Sequence, residues 1–400
     1  MISSRHSTVV STALPATSDW AAAFVFALPE LWALVAKHCG FVGAFRLMLV
    51  CKAAREGAKE WLRTLPHLVL SGGYAGGGRT GQVWRLDLGE LQWEHVADLT
   101  NARAAHACCA VRGGIVVLGG YAAVEGQVGH DYNSSAGVEF LAYDSQTGGA
   151  VFKTLPPLSC GPITSFAVAV DESESERGQV LLIGSEHEHG SSSAVHLVDL
   201  ETGVCTQQPS LLSFEGRGFD VCAAARMLDG QIVCVGQTFR SLLTSSEEEE
   251  EDDEGTCEDD DDVVTAQVLE PYDQGDPGEA SWRWRALPRT IVRRLSGRAC
   301  VLSDGRFAIF GGRVNGASVT TSSCEVLTLD SNGERWEMLP AMRERREGFA
   351  CAAIGQCVIV AGGLHSRTVE VYEEALGLWR RLPCSIPHEK KLYHMGSALM

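Results

Sequence analysis

LVLSGGY at Leu68–Tyr74, IVVLGGY at Ile115–Tyr121, FAIFGGR at Phe307–Arg313 and VIVAGGL at Val358–Leu364: four times the chain writes a short apolar run closed by two glycines. Two degraded copies stand between them, VLLIGS at Val180–Ser185 and IVCVGQ at Ile232–Gln237. Each copy is followed by a second strand-like run ending near an acid, and most then reach a tryptophan: Trp93, Trp284, Trp336 or Trp379. The first glycines fall at positions 72, 119, 184, 236, 311 and 362. A repeat of about fifty residues built from short strands predicts the blades of a propeller.

On these residues the chain resembles kelch-repeat proteins over residues 66–400. The resemblance implies an all-β fold, a six-bladed kelch propeller whose blades each hold four strands, A to D. In such a blade the doublet closes strand B, where the chain turns sharply and a Cβ would clash. The Trp of strand D offers a large apolar plate to the adjoining blade. Blades three and four lack a full doublet and are expected to be looser, and blade three has Cys205 where the Trp is expected. Blade one begins at strand B, with no strand A before Leu68. In the final segment, Lys391-x-x-His394 matches the Arg103-x-x-His106 that opens strand A of blade two. The last residues therefore read as the missing strand A of blade one, which would close the ring and leave no open edge.

Composition agrees with one propeller plus an extra element in 400 residues. Of 14 cysteines none forms a C-x-x-C pair, and many lie in strand runs, where a reduced Cys acts as a small apolar filler. That favours a reducing compartment, cytoplasmic or nuclear, over a disulfide framework or structural zinc. No apolar stretch is long enough for a spanning helix. Residues 1–27 read as a disordered arm; Pro15 and Asp19 interrupt any signal-peptide core, and a transit peptide is the other reading. The net charge of −18 is concentrated: Glu247–Asp262 holds 13 of the 51 acids, leaving 38 against 33 basic residues. Such a run cannot fold compactly, so residues 244–263 are expected to be a disordered loop inside blade four. The acidity argues against nucleic-acid binding.

Residues 28–65 stand apart from the repeat. Leu28, Leu31, Trp32 and Val35 share one helical face, with Pro29 suited to a first helical position, and Gly40 and Gly43 break the run. Further helix is expected from Phe45 through Met48 and Leu49, and again over Lys52–Trp61. The order Leu-Pro-x-Leu-x-x-Leu-Val, Phe45-Arg46-Leu47, Val50-Cys51-Lys52 and Arg55-Glu56 resembles an F-box, though Ala54 stands where that family usually has Trp. The other reading is a helical cap that plugs one end of the propeller.

Enzyme readings find little support. The propeller is shared with galactose oxidase, whose copper site needs a Tyr–Cys pair and two His, and the His residues here are scattered. Sialidase-type Ser-x-Asp-x-Gly-x-Thr-Trp boxes are missing, and the iron spacing Glu-x3-Asp-x3-His fails at Ala102 after Glu94 and Asp98. Glu186-His187-Glu188-His189 reads as a solvated turn. We expect no catalytic residue, no metal and no cofactor.

A binding surface remains. Strand parity puts the long B–C loops and the D–A links on one face, while tight A–B turns such as Asp304-Gly305 occupy the other. Residues leading into strand A, Arg103, Arg294, Arg346 and Lys391, with Arg217 less securely aligned, either form a basic ring at the channel mouth or hydrogen-bond neighbouring blade backbone. With Tyr74, Tyr121 and Arg313 they make up the expected client-binding set. By resemblance, the function is that of a substrate receptor of a cullin–RING ubiquitin ligase. Leu28, Pro29, Leu31, Val35 and Leu49 would dock a Skp-type adaptor, itself bound to a cullin, and the propeller would hold an unidentified protein client. The alternatives are a propeller scaffold without a ubiquitin role and, more weakly, an enzyme of galactose-oxidase type.

Overall fold

Strand B of blade one, Leu68–Ser71, pairs antiparallel with Gln82–Asp87 on one side and with Gly396–Leu399 on the other. The first blade is thus completed by the far end of the sequence, as the missing strand A required. In the computed structural model, residues 26–122, 134–143, 149–171, 177–186, 194–212, 218–239, 264–272, 281–314, 319–330 and 333–400 are described. The first 25 residues, the acidic run, Arg217, His187 and His189 lie outside them.

Two compact units divide the chain, one ending at Thr64 and one starting at Leu65. In the second, every blade is a four-stranded antiparallel sheet. Strands A to D of blade two are Ala107–Val111, Gly114–Leu118, Val138–Tyr143 and Ala150–Leu155. Those of blade three are Ile163–Asp171, Gln179–Glu186, Val195–Asp199 and Cys205–Gln207, and of blade four Gly218–Arg226, Ile232–Phe239, Val264–Tyr272 and Ser281–Leu287. Blade five has Arg298–Val301, Phe307–Phe310, Cys324–Asp330 and Gly333–Leu339, and blade six Ala350–Ile354, Cys357–Ala361, Thr368–Glu373 and Leu378–Ser385. Gln92–Asp98 is strand D of blade one. Each strand A touches the next, from blade one round to blade six and back to blade one, so the ring is closed.

Burial explains the sequence pattern. Strand B is covered on both faces, and Leu68–Ser71, Phe307–Phe310 and Cys357–Ala361 are buried throughout. Unbroken apolar runs satisfy such a position, whereas the outer strand Gly333–Leu339 is mostly exposed and correspondingly polar. Both glycines of every full doublet sit at positive φ: 54° and 110° at Gly72 and Gly73, 56° and 99° at Gly311 and Gly312. A Cβ on Gly311 would come 2.7 Å from the Arg346 carbonyl oxygen. In blades three and four, Gly184 and Gly236 lie inside strands that run straight on, so these blades gain longer inner strands in place of the turn.

Three of the four tryptophans do what their position suggested. Trp284, Trp336 and Trp379 pack on the preceding blade and donate Nε1–H to the carbonyls of Pro209, Pro288 and Pro340 at 2.8, 2.9 and 2.8 Å. Register places Phe152 at the same point of blade two and Cys205 at that of blade three.

In the first unit a helix spans Pro29–Leu47, bent where Gly40 takes φ 72° and ψ −179°, and a second spans Lys52–Arg63. Gly43 stays helical, so the expected second break is not there. Ala36, Phe41, Val42 and Ala44 pack with Ala54, Ala58 and Leu62 as the unit's buried residues. Cys51 caps the second helix, its sulfur accepting from the Ala54 amide.

Candidate functional site

The lead-in arginines are not a basic ring. Arg103, Arg294 and Arg346 are buried, their side chains at most 1% exposed, and each is paired with a buried glutamate of strand C in its own blade. Arg103 meets Glu139 at 2.5 Å and Arg346 meets Glu370 at 2.7 Å; Arg294 pairs with Glu325 in the same way. Each guanidinium also donates to the carbonyl of the first glycine of its doublet: Gly119, Gly311 or Gly362. The glutamate in turn accepts two backbone N–H groups of the D–A link, Thr100 and Asn101 for Glu139, Ile291 and Val292 for Glu325, Arg343 and Glu344 for Glu370. Between blades the second glycine closes the contact, with Gly73 N–H donating to the Arg103 carbonyl and Gly312 N–H to that of Arg346. These three arginines hold the links between blades and are withdrawn from the client-binding set. Polar groups buried this deeply persist only when paired.

Lys391 is exposed, and the residue that takes the arginine's place in blade one is its neighbour Leu392. Gly363 N–H donates to the Leu392 carbonyl, and Leu392 pairs with Ala75 as Arg103 pairs with Ala122. In blade four Gln267 replaces the glutamate, its Oε1 accepting from Leu212 N–H at 2.8 Å and its Nε2 donating to Leu212 O at 3.0 Å.

What faces the channel mouth is a different set. The central cavity, about 680 Å3, is lined by strand A of all six blades, mostly Ala, Cys and Val, with Arg298, Arg313, His106 and His394 among its polar residues. No Asp or Glu occurs among its described lining residues. Arg298 donates to the Phe349 carbonyl at 3.0 Å and reaches across the channel, its guanidinium carbon 5.6 Å from the Phe166 ring centroid. Arg313 is 45% exposed, with Glu347 at 3.9 Å. Tyr74 stacks on Tyr393 with ring centroids 5.4 Å apart, and Arg79 lies over Tyr74 at 5.9 Å. Of the expected residues, Arg313 lines the cavity, Tyr74 lies against His394 of the cavity wall, Tyr121 is half-buried and pairs with Ala104, and Lys391 is exposed. Arg298, His394 and Tyr393 are added, and only the fold brings them together.

Both channel histidines are neutral at physiological pH. Burial pushes His106 down to about 3, helped by Arg103 and Arg298 and opposed by Ser71, whose Oγ lies 2.9 Å from Nε2. Burial pushes His394 down to about 4, with Arg298 and Arg313 adding to it. A folded-state pKa below the unfolded 6.5 means the unfolded chain takes up more protons, so stability falls as pH drops from about 6.5 towards 4. Each histidine should contribute a loss of roughly 3 kcal/mol by pH 4. His394→Asn should flatten the acid side of a melting-temperature-against-pH curve; an unchanged slope would show that His394 does not titrate this way.

Burial pushes the thiols of Cys108, Cys109 and Cys300 in the cavity wall up, that of Cys108 to about 12, which keeps them protonated and slow. Among the described residues no group of three or more His, Cys, Asp or Glu side chains could hold a metal. No described helix is long and apolar enough to cross a membrane.

In the helical unit, Leu31 and Val35 are 38% and 40% exposed and Leu49 is 84% exposed, with Leu34 and Val50 also exposed beside them. Leu28 and Pro29 are half-buried.

No family model matches the sequence. A stretch of 118 residues is 33% identical to an F-box/kelch-repeat protein of Arabidopsis thaliana, covering 25% of this chain and 30% of that protein. A stretch of 109 residues is 27% identical to kelch-like protein 34 of Homo sapiens, covering 24% and 17%. The chain thus matches less than a third of the length of either relative. The solved structure of YjhT is similar with a TM-score of 0.47 and 14% identity, over 68% of this chain and 81% of that one. The repeats of this chain are of the kelch type.

Proposed function

We propose that the chain is a two-part recognition protein, the propeller holding a client protein and the helical unit docking a Skp-type adaptor of a cullin–RING ubiquitin ligase. The observation that carries this is the exposed apolar set Leu31, Leu34, Val35, Leu49 and Val50 on a unit of two helices. A small helical unit that leaves its larger side chains in solvent is suited to docking a partner. The name of the Arabidopsis relative, which joins an F-box to kelch repeats, supports the same pairing. On the propeller, the client face is the channel mouth around Tyr74, Tyr121, Arg298, Arg313 and Lys391. Guanidinium and aromatic groups there, without a described acid in the cavity lining, favour acceptor-rich segments of a client.

The test is adaptor capture by the full chain and by Leu31→Asp. Capture should fall at least tenfold while the propeller keeps its own melting transition, because Leu31 belongs to the separate helical unit. Unchanged capture by a folded Leu31→Asp would end the adaptor reading. Loss of the propeller's own melting transition in that variant would favour the cap reading.

A further inference from the structure

Cys160 and Cys205 form a half-buried thiol pair at a blade junction, apart from the other hydrogen-bonded thiol pair, Cys300 and Cys351, in the wall of the central cavity. Blades four, five and six are each fastened to the preceding blade by a strand D tryptophan bonded to a proline carbonyl. At the junction of blades two and three that tryptophan is Cys205, and the link it faces carries Cys160. The backbone holds the two segments together, Cys205 N–H donating to Ser159 Oγ at 2.8 Å and Ser159 N–H donating to the Gly203 carbonyl at 3.0 Å. The side chains hydrogen-bond to one another, both are reduced, and both are half-buried at the outer part of the blade.

We propose that Cys160 and Cys205 are a reversible oxidation site, a thiol pair that peroxide converts to a disulfide across the junction of blades two and three.

Reactivity follows from the surroundings. The hydrogen bond from Cys160 is the chief cause that pulls the Cys205 thiol well below its ordinary range, with Ser159 adding to it and partial burial opposing. When the pair's proton sits on Cys205 instead, Sγ has the Gly203 carbonyl 3.6 Å away to receive it. By contrast, burial pushes the thiols of Cys324 and Cys357 up to about 12 and that of Cys384 up to about 11, which keeps them protonated and slow. The thiolate is the nucleophile towards peroxide, and a neighbouring thiol resolves the product.

The steps balance. The Cys205 thiolate attacks one oxygen of hydrogen peroxide, the O–O bond breaks, hydroxide leaves and sulfenic acid forms. The Cys160 sulfur then attacks the Cys205 sulfur, the S–O bond breaks, and the hydroxyl leaves as water with the Cys160 proton. Two thiols are oxidised by two electrons, one peroxide is reduced to two waters, and a dithiol reductant reverses the exchange.

The experiment treats the full chain with hydrogen peroxide, blocks remaining thiols with iodoacetamide and reads peptides by mass spectrometry. The expected result is a 160–205 cross-linked peptide, lighter than its two reduced parts by two hydrogens and abolished by dithiothreitol. In Cys160→Ala the reaction should stop at Cys205 sulfenic acid, trapped by dimedone. Before oxidation, iodoacetamide should label Cys205 at least tenfold faster than Cys384. The proposal is overturned if Cys205 and Cys160 stay alkylatable after peroxide, if Cys205 proceeds to sulfinic acid with Cys160 still present, or if the cross-link joins another cysteine.

Discussion

Removing Leu392–Met400 should leave a propeller that cannot hold its ring. Gly396–Leu399 supplies strand A of blade one, and Leu392, Met395 and Ala398 are almost completely buried. Without them the buried edge of Leu68–Ser71 loses its partner and the apolar flanks of blades two and six face solvent. We expect insoluble protein or a loss of stability beyond about 4 kcal/mol, far more than a surface tail would cost. The measurement is soluble yield and the thermal transition of the truncated chain. A synthetic peptide covering 388–400, added in trans, should recover part of the transition by strand addition. An unchanged melting temperature after truncation would contradict the closure.

Breaking one of the buried Arg–Glu pairs should cost nearly as much. Arg346→Leu leaves Glu370 charged and buried, with only the Arg343 and Glu344 amides for company. A buried charge stripped of its partner costs about 3–5 kcal/mol. Blade four indicates the remedy, because Gln267 already does the glutamate's work there by bonding the Leu212 backbone. Arg346→Leu combined with Glu370→Gln should therefore recover more than half of the loss, read as the denaturant midpoint of each variant at constant slope. If the double variant is no better than the single one, the damage lies in packing around the guanidinium.

How far the residues revealed the fold depended on whether a signal was local. The doublets Gly72-Gly73, Gly119-Gly120, Gly311-Gly312 and Gly362-Gly363 announce themselves, because positive φ and close backbone approach leave one residue type at ease. Closure by the final strand was legible for a similar reason, since a blade short of one strand demands it. The arginines were ambiguous because a basic residue before a strand looks the same whether it meets water or a carboxylate 24 to 36 residues on. A signal existed in the glutamates: Glu139, Glu325 and Glu370 each stand between apolar neighbours at the same step of strand C, where only a paired acid is tolerated. Matching Lys391 and His394 to Arg103 and His106 was one residue off. The positions that correspond by register are Leu392 and Arg103, and the strained residues after them, Ala105, Ser296 and His394, all sit near φ 50°. Arg298 and Tyr393 could not have been found from spacing, because what makes them neighbours of the channel mouth is the circular order of blades.

The strand that closes blade one has a kinetic consequence. It joins residues 68–71 to residues 396–399, a loop of roughly 330 residues, whereas the hairpins within blades close over about ten. At about 0.6 kcal/mol per doubling of loop length, that closure costs roughly 3 kcal/mol more entropy than a hairpin, a sum the buried Leu392 and Met395 side chains can return only once their neighbours are in place. Folding should therefore run through a curved, open array of blades two to six, with both inner edges unsatisfied, before the seam zips shut. Substitutions at the seam should then accelerate unfolding and leave the early refolding phases untouched, so that the seam governs how long the protein survives and the repeats govern how fast it first condenses.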